Sequence, residues 1–308
     1  MKLQWFVKLC AGCMLGMILF LALSGKDRSD FLKANQSDRP TVSVVNLRSR
    51  HPLSSQVVLQ TLSQANVVYL GETHDRPEDH RAQLEIIQEL HRLNPQLVIG
   101  MEMFQRPYQS ALDRYLAGTL TEAELIEQSQ YEKRWGFPWE FYAPILRFAR
   151  KNRLSVVALN TPTEVTRKVA RFGLESLEAG DRQFIPPISE IALKPEAYRQ
   201  WLRAIYDAAH HGKTSSASFE RFFQAQVLWD ETMAEQIAQI LEQQPQSLVV
   251  VLLGQGHVLY GHGVPSRVAR RQPEVVQVSV VLNPSEELQR ETATKPETEI
   301  ADYFWYSR

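Results

Sequence analysis

The chain of 308 residues carries a formal net charge of −1, and 44% of its residues are hydrophobic. This composition supports one large domain or two small ones with a full core. It lacks the basic excess typical of nucleic-acid-binding proteins, so we expect no nucleic acid among its partners.

The first 25 residues have the pattern of a targeting segment. Two lysines precede an apolar run over residues 9–23, and the chain turns polar directly afterwards. The pattern predicts a secretory signal peptide, or alternatively an uncleaved membrane anchor, over residues 1–25. We therefore expect a periplasmic or extracytoplasmic protein that is membrane-associated. Both cysteines, Cys10 and Cys13, lie in this segment, so the rest of the chain holds no disulfide and no thiolate ligand.

Residues 26–50 are polar and irregular, and we interpret them as a linker. The predicted domain covers residues 51–308 and contains five short apolar runs. Continuous rather than alternating apolar runs are typical of strands that are buried on both faces, as in a parallel sheet. The predicted strands cover 66–71, 97–102, 155–160, 248–254 and 275–282.

Segments with helical periodicity separate these strands. Residues 77–93 and 140–152 are predicted helices, and Asp75 and Pro77 suit the start of the first one. The alternation of strands and helices predicts an α/β fold with a mostly parallel central sheet flanked by helices.

Two long connections, at about 103–153 and 161–247, are rich in helical pattern and poor in strand pattern. We predict that they form helical insertions that cap the carboxyl end of the sheet. The aromatic segment 301–306 is expected to form a last strand or a docked edge segment.

Polar side chains follow four of the predicted strands. Glu72 and His74 come after the first, Glu102 ends the second, Asn160 ends the third and His257 follows the fourth. Because ligands bind outside the carboxyl ends of parallel strands, we expect these groups to converge on one rim.

The two histidines share a spacing, Gly71-x-x-His74 and Gly254-x-x-His257. Each glycine lets the chain turn sharply after its strand, so that the histidine points from the rim. The alternative is that these residues only complete turns. On the first predicted helix, His80 lies in the turn nearest the rim and is either a site residue or a half-buried capping histidine.

Three further polar residues have two interpretations each. Gln226 and Asp230 fall on the apolar stripe of a predicted helix over 222–241, so they either hold the site histidines by hydrogen bonds or tie the helix to a strand end. Arg267 follows the second histidine loop, where it either meets an acidic ligand group or begins a helix at the surface. The aromatic segment 131–145 either lines a flat pocket or packs in the core.

Seven segments together resemble one family, the ChaN-type haem-binding uptake proteins of the wider Tiki/TraB/erythromycin-esterase-like superfamily. The resemblance runs in order over nearly the whole chain after residue 25. The segments are GETHD (71–75), GMEMFQRPYQ (100–109), YAPILRFAR (142–150), LNTP (159–162), FFQAQVLWDETMA (222–234), LLGQGHVLYGHGVPSR (252–267) and ADYFWY (301–306).

The resemblance implies an extracytoplasmic protein that binds haem and takes part in haem or iron uptake. It also implies that a tyrosine holds the haem with help from histidine, across a homodimer. Tyr142 and Tyr108 lie in matching motifs. His80 and Arg267 are the further candidates for contact with the haem.

The alternative hypothesis is a metal-dependent hydrolase that uses the paired G-x-x-H motifs. Glu72, His74 and His257 match the metal or hydrolytic site of the wider superfamily, as ligands of a divalent metal or as acid–base groups. Hydrogen bonds would hold these three side chains in place, from Glu102, Asn160, Gln226 and Asp230. Whether the protein is an enzyme stays open at this point.

Overall fold

The computed structural model describes residues 43–210, 215–295 and 297–307. The predicted targeting segment lies outside these residues. Within them, no helix is both long enough and apolar enough to cross a bilayer.

The centre of the fold is one eight-stranded sheet with the order β2-β1-β8-β7-β3-β6-β4-β5. The six strands from β8 to β5 are parallel, whereas β1 pairs antiparallel with both β2 and β8. The strands are β1 (Ser43–Asn46), β2 (Pro52–Leu53), β3 (Val67–Glu72), β4 (Leu97–Gln105), β5 (Ser155–Asn160), β6 (Leu248–Gly254), β7 (Gln277–Leu282) and β8 (Tyr303–Tyr306). The predicted α/β fold and mostly parallel sheet are confirmed.

The predicted linker over 26–50 is wrong at its end, because β1 lies inside it and extends the sheet beyond β8. Val44 is buried against the core, and the four residues of β1 each pair with β8. A run of four residues is too short to register as a strand without the partner strand, which lies more than 250 residues later.

Helices cover both faces of the sheet. They are α1 (Ser55–Leu62), α2 (Pro77–Leu93), α3 (Gln109–Leu116), α4 (Glu122–Gln128), α5 (Tyr131–Arg134), α6 (Ala143–Asn152), α7 (Thr163–Phe172), α8 (Glu196–Ala209), α9 (Ser216–Gln243), α10 (Val264–Arg271) and α11 (Glu286–Thr294). One core lies between the sheet and α1 to α6, and a second lies between the sheet, α9 and α10.

The helices α7, α8 and the first half of α9 form a separate apolar core of their own. This core begins directly after β5, so it stands beside the carboxyl ends of the strands. The 28-residue helix α9 runs from this core to the face of the sheet, and it therefore connects the two regions.

Two glycines flank His257 in opposite surroundings. A Cβ at Gly263 would lie 2.3 Å from the carbonyl oxygen of His257, whereas a Cβ at Gly256 would meet none of the described residues within 4 Å. Gly263 therefore allows the loop to fold back on the histidine.

We predict that Gly263→Ala lowers the free energy of unfolding by about 1–3 kcal/mol, because the loop must move to relieve the clash. Gly256→Ala, the control, should stay within about 0.5 kcal/mol of the wild type. Urea unfolding followed by circular dichroism measures both. Equal stability of the two variants would show that the loop does not need this close approach.

Candidate functional site

The polar residues predicted at the strand ends lie side by side in the structure. β3, β6 and β4 are adjacent and parallel, so their carboxyl ends bring Glu72, Gly254 and Glu102 to one edge. Asn160, at the end of β5, donates a hydrogen bond from its side chain to the carbonyl of Glu102 over 2.7 Å. The short 3-10 turn Gln255–His257 then places His257 above this edge.

Glu72 is fully buried and both of its carboxylate oxygens are hydrogen-bonded. Oε1 accepts a bond from the Tyr142 hydroxyl over 2.5 Å and lies 2.7 Å from Nδ1 of His74. Oε2 accepts a bond from the Gln83 amide over 2.6 Å. Burial would raise the pKa of Glu72, but hydrogen bonds and charges from His74 and His80 outweigh it and hold the pKa well below its usual range. Glu72 is therefore ionised, and it orients His74.

His74 is fixed by aromatic side chains as well as by Glu72. Its ring lies 4.8 Å from the ring of Trp135 and 5.0 Å from that of Phe137, between centroids. Its Nε2 faces Gly254, where a Cβ would lie only 2.9 Å from that nitrogen. The glycine in the second G-x-x-H motif therefore makes room for the histidine of the first.

His257 lies between two buried carboxylates. Its Nδ1 is 2.6 Å from Asp230, and its Nε2 is 3.5 Å from Oε1 of Glu102. The Gln226 amide lies 3.2 Å from the same Nδ1, and Tyr198 donates a hydrogen bond to the other oxygen of Asp230 over 2.7 Å. Asp230 thus accepts a hydrogen bond from a site histidine, and Gln226 contacts the same nitrogen. This is one of the two roles that the sequence left open.

The charges in this group keep His257 protonated. Burial alone would lower its pKa, but the charge of Glu102 and the hydrogen bond and charge of Asp230 raise the pKa to about 10. In turn, the charge of His257 lowers the pKa of Glu102 below its usual value, against the effect of burial. Oε1 of Glu102 is buried and has no hydrogen-bond partner among the described residues, whereas the main chain of Gly254 donates to Oε2 over 2.7 Å.

Two of the predicted haem-contacting residues, Tyr142 and His80, lie in the interior. Tyr142 is fully buried on Glu72, and the ring of His80 stacks 4.6 Å from Phe141 while its Nε2 binds the carbonyl of His74 over 3.0 Å. Nδ1 of His80 lies 3.4 Å from Oε2 of Glu72 without a hydrogen bond in the described part of the chain, so both Tyr142 and His80 contact Glu72. They position Glu72 and the loop that carries His74.

Arg267 is buried rather than directed at an acidic ligand group. Its guanidinium donates hydrogen bonds to the carbonyls of His262, Gly263 and Lys194, and it lies 3.4 Å from Glu231. It therefore fixes the loop after His257. Neither of the two sequence interpretations included this buried role.

Asp79 and Tyr198 are among the site residues to which the sequence assigned no role. Asp79 accepts a hydrogen bond from the main chain of Thr73 over 2.7 Å and another from Asn283 over 2.6 Å, so it ties the His74 loop to the end of β7. Its place in the first turn of α2, directly before His80, is a signal that could have found it. Tyr198, which holds Asp230, carries no local signal.

The metal ligand set predicted from Glu72, His74 and His257 does not match the geometry. Glu72 contacts Nδ1 of His74, and both of its carboxylate oxygens are already hydrogen-bonded. The three side chains therefore do not direct their ligand atoms at one common position. Among residues 43–210, 215–295 and 297–307, no group of three or more histidines and carboxylates is arranged to hold a metal ion.

A cleft opens beside this group of residues, between the end of β5, the start of α7 and the middle of α9. We call it the β5–α7 cleft, and its empty volume, including the part open to solvent, is about 530 Å³. Gln226 and Trp229 connect it to His257, because the Trp229 ring lies 4.9 Å from the imidazole ring. The cleft is lined by Gln105, Arg134, Asn160, Thr161, Thr163, Thr166, Arg167, Phe222, Ala225, Gln226 and Trp229.

A family model described as "Haem-binding uptake, Tiki superfamily, ChaN" matches residues 58–268, which include every rim residue named above. The chain belongs to this ChaN family. The family assignment made from the sequence motifs is thereby confirmed.

Relatives with known structures support the fold. The chain is similar to ChaN of Campylobacter jejuni, whose structure shows cofacial haem binding, with a TM-score of 0.68 and 17% identity over 88% of this chain and 98% of that one. It is also similar to an erythromycin esterase mutant in its open conformation, with a TM-score of 0.50 and 13% identity over 86% of this chain and 97% of that one. At these identities the likeness shows a shared fold.

Among curated proteins, the chain is 29% identical over 267 residues to the chloroplastic protein RETICULATA-RELATED 5 of Arabidopsis thaliana. The match covers 81% of this ChaN-family chain and 35% of the plant protein. The chain therefore spans about a third of the length of that relative.

We predict that the pKa of His257 falls by about 1 to 3 in Asp230→Asn, because one of its two anionic neighbours loses its charge. The wild-type imidazole should stay protonated at pH 8. Because the folded pKa lies above the unfolded value of about 6.5, its contribution to stability is complete below pH ~6.5 and is lost as the pH rises through about 10.

Nitrogen-15 NMR titration of the histidine rings measures this pKa. The control is Asp207→Asn, which changes a carboxylate that pairs with Arg203 on the surface of α8 and should leave His257 unchanged. A wild-type His257 that titrates near 6.5 would show that the buried charges do not act together.

Proposed function

We propose that this ChaN-family protein binds haem in the β5–α7 cleft and serves haem or iron uptake. The observation that carries the proposal is the match of residues 58–268 to the haem-binding uptake family. Haem is then the cargo of the protein, and the protein needs a slot for its flat ring, an atom for its iron and cations for its carboxylates.

The cleft supplies several of these groups. Phe222 and Trp229 supply aromatic surface, and Arg134 and Arg167 supply two guanidinium groups. At the edge, the half-buried Tyr108 lies against Arg134, whose guanidinium carbon is 4.9 Å from the centre of the phenol ring. Of the four residues predicted to contact haem, Tyr108 is the one that stands beside the cleft.

We assign the iron ligand to Tyr108 on this basis. A phenolate is an established haem ligand. Tyr142 and His80 act indirectly, because they hold Glu72 and the His74 loop in place. His257 stands behind Trp229 and stabilises the floor of the cleft.

The place of uptake and the assembly are further parts of the proposal. The pattern of residues 1–25 supports an extracytoplasmic protein with a membrane tether, although the plant relative is named as chloroplastic. Fractionation of cells that express the full chain should place it with the envelope.

A homodimer that holds haem between two chains would appear in analytical ultracentrifugation as a doubled mass when haemin is added.

We predict that haemin binds residues 26–308 with a Soret band that saturates at one haem per chain. Tyr108→Phe should weaken binding by at least about tenfold and shift the Soret band, because the iron loses its oxygen ligand. The measurement is an absorbance titration at constant ionic strength.

The control is Tyr306→Phe, which changes a half-buried tyrosine on β8, away from the cleft. It should bind haemin as the wild type does. A wild-type protein without a Soret band would refute haem binding, and equal spectra of the two variants would remove Tyr108 from the iron.

The paired imidazoles favour a second candidate function, hydrolysis without a metal. His74 and His257 each have a buried carboxylate at Nδ1, which is how an imidazole is oriented for acid–base catalysis. In ester hydrolysis, His74 or Glu102 would take a proton from the attacking water. The protonated His257 would then give a proton to the leaving oxygen as the ester bond breaks.

If this second candidate is correct, chromogenic carboxylic esters are hydrolysed, and His74→Ala and His257→Ala each lower kcat/KM by at least about a hundredfold. His91→Ala is the control, because His91 lies in the last turn of α2, far from the rim. Metal analysis of the same preparations checks that activity does not follow a bound ion. If the wild-type protein binds haemin but hydrolyses none of the esters, hydrolysis is refuted and haem binding remains as the function.

A further inference from the structure

One corner of the β5–α7 cleft contains a buried polar atom without a partner. Thr161 follows β5 and lines the cleft, and the residue is only 1% exposed. Its hydroxyl oxygen has no hydrogen-bond partner among the described residues. An unpaired buried hydroxyl costs free energy unless a ligand satisfies it.

Two guanidinium groups line the same cleft. Arg134 is held in place by Glu164, over 2.9 and 3.0 Å, and by Gln105 over 2.9 Å. Arg167 is exposed, and its charge acts on Glu164 without a direct hydrogen bond or ion pair to any residue in the described part of the chain. With Glu164 neutralising one arginine, the corner retains about one positive charge, which matches a monoanion better than a dianion.

The first turn of α7 forms the wall between these groups. This ten-residue helix begins after Pro162 without a side-chain cap, and Thr163 and Thr166 of its first turns line the cleft. The amino end of a helix carries partial positive charge and favours anions. The unpaired hydroxyl, the free guanidinium and the helix end therefore all favour the same kind of ligand group.

We propose that this corner, formed by Thr161, Arg167 and the start of α7, is a subsite for a carboxylate of the bound ligand. It rests on the proposed function, in which the carboxylate is a propionate of haem. The Thr161 hydroxyl donates to one carboxylate oxygen, and the Arg167 guanidinium pairs with the group from the solvent side. The aromatic side of the cleft at Trp229 then receives the apolar part of the ring.

The test compares haemin with haemin dimethyl ester, in which both carboxylates are masked. The wild type should bind haemin about tenfold more tightly than the ester, as expected for a charge-assisted pair that is partly exposed. Arg167→Gln and Thr161→Val should each weaken haemin binding by about three- to tenfold and leave the ester unchanged. Fluorescence quenching and the Soret band provide the affinities.

The control is Arg171→Gln, one turn further along α7, where the arginine stacks on Phe172 outside the cleft. It should bind both ligands as the wild type does. Because Arg167 is exposed, its variant keeps the test valid even if Thr161→Val loses stability.

Equal binding of haemin and the ester by the wild type, with no effect of the two variants, would overturn the subsite and leave haem binding intact. Absence of binding to either porphyrin would overturn haem binding itself, and the subsite with it.

Discussion

The structure depends on a balance of buried charges at the carboxyl ends of the strands. Glu72, Glu102 and Asp230 are all removed from water, and an isolated buried carboxylate would be strongly destabilising. The imidazole rings of His74 and His257 contact these carboxylates at short distances and compensate for their lost hydration. Loss of one partner would therefore leave a charge unpaired in the interior, so the group behaves as a unit.

This balance also explains the local backbone. Gly254 lies where His74 reaches across from β3, and it donates its own N–H to Glu102. The two G-x-x-H motifs thus interlock, since the glycine of one leaves the space that the histidine of the other fills. The parallel pairing of β3 with β6 places Glu72 opposite Gly254 and so brings the two strand ends together at the same edge.

The helix α9 links the charged group to the cleft. One side chain, Asp230, holds His257, and the adjacent Trp229 packs on the same imidazole and lines the cleft. Gln226 belongs to both regions. A ligand in the cleft therefore contacts residues whose positions are set by buried hydrogen bonds, which is the kind of preorganised surface that specific binding requires.

Much of the fold followed from local patterns, because a strand buried on both faces must be continuously apolar. The convergence of Glu72, His74, Glu102 and His257 followed from the geometry of parallel strands alone. Gln226 and Asp230 could be placed because polar residues on an apolar stripe need partners.

Other features could not be predicted from local sequence. Arg267 is buried because its partners come from three separate segments, at 194, 231 and 262–263. Tyr142 points at Glu72 rather than at a ligand, which depends on how α6 packs against the sheet. The unpaired hydroxyl of Thr161 is visible only once the surrounding side chains are in place.

The position of bound haemin tests this account most directly. Ferric haemin is paramagnetic and broadens the NMR signals of nearby groups, and the indole N–H signals of the tryptophans report on different parts of the fold. Haemin bound in the β5–α7 cleft should broaden the signal of Trp229, while that of Trp305, buried on β8, should stay sharp. Saturating haemin that leaves Trp229 sharp and broadens another tryptophan instead would contradict binding in the β5–α7 cleft.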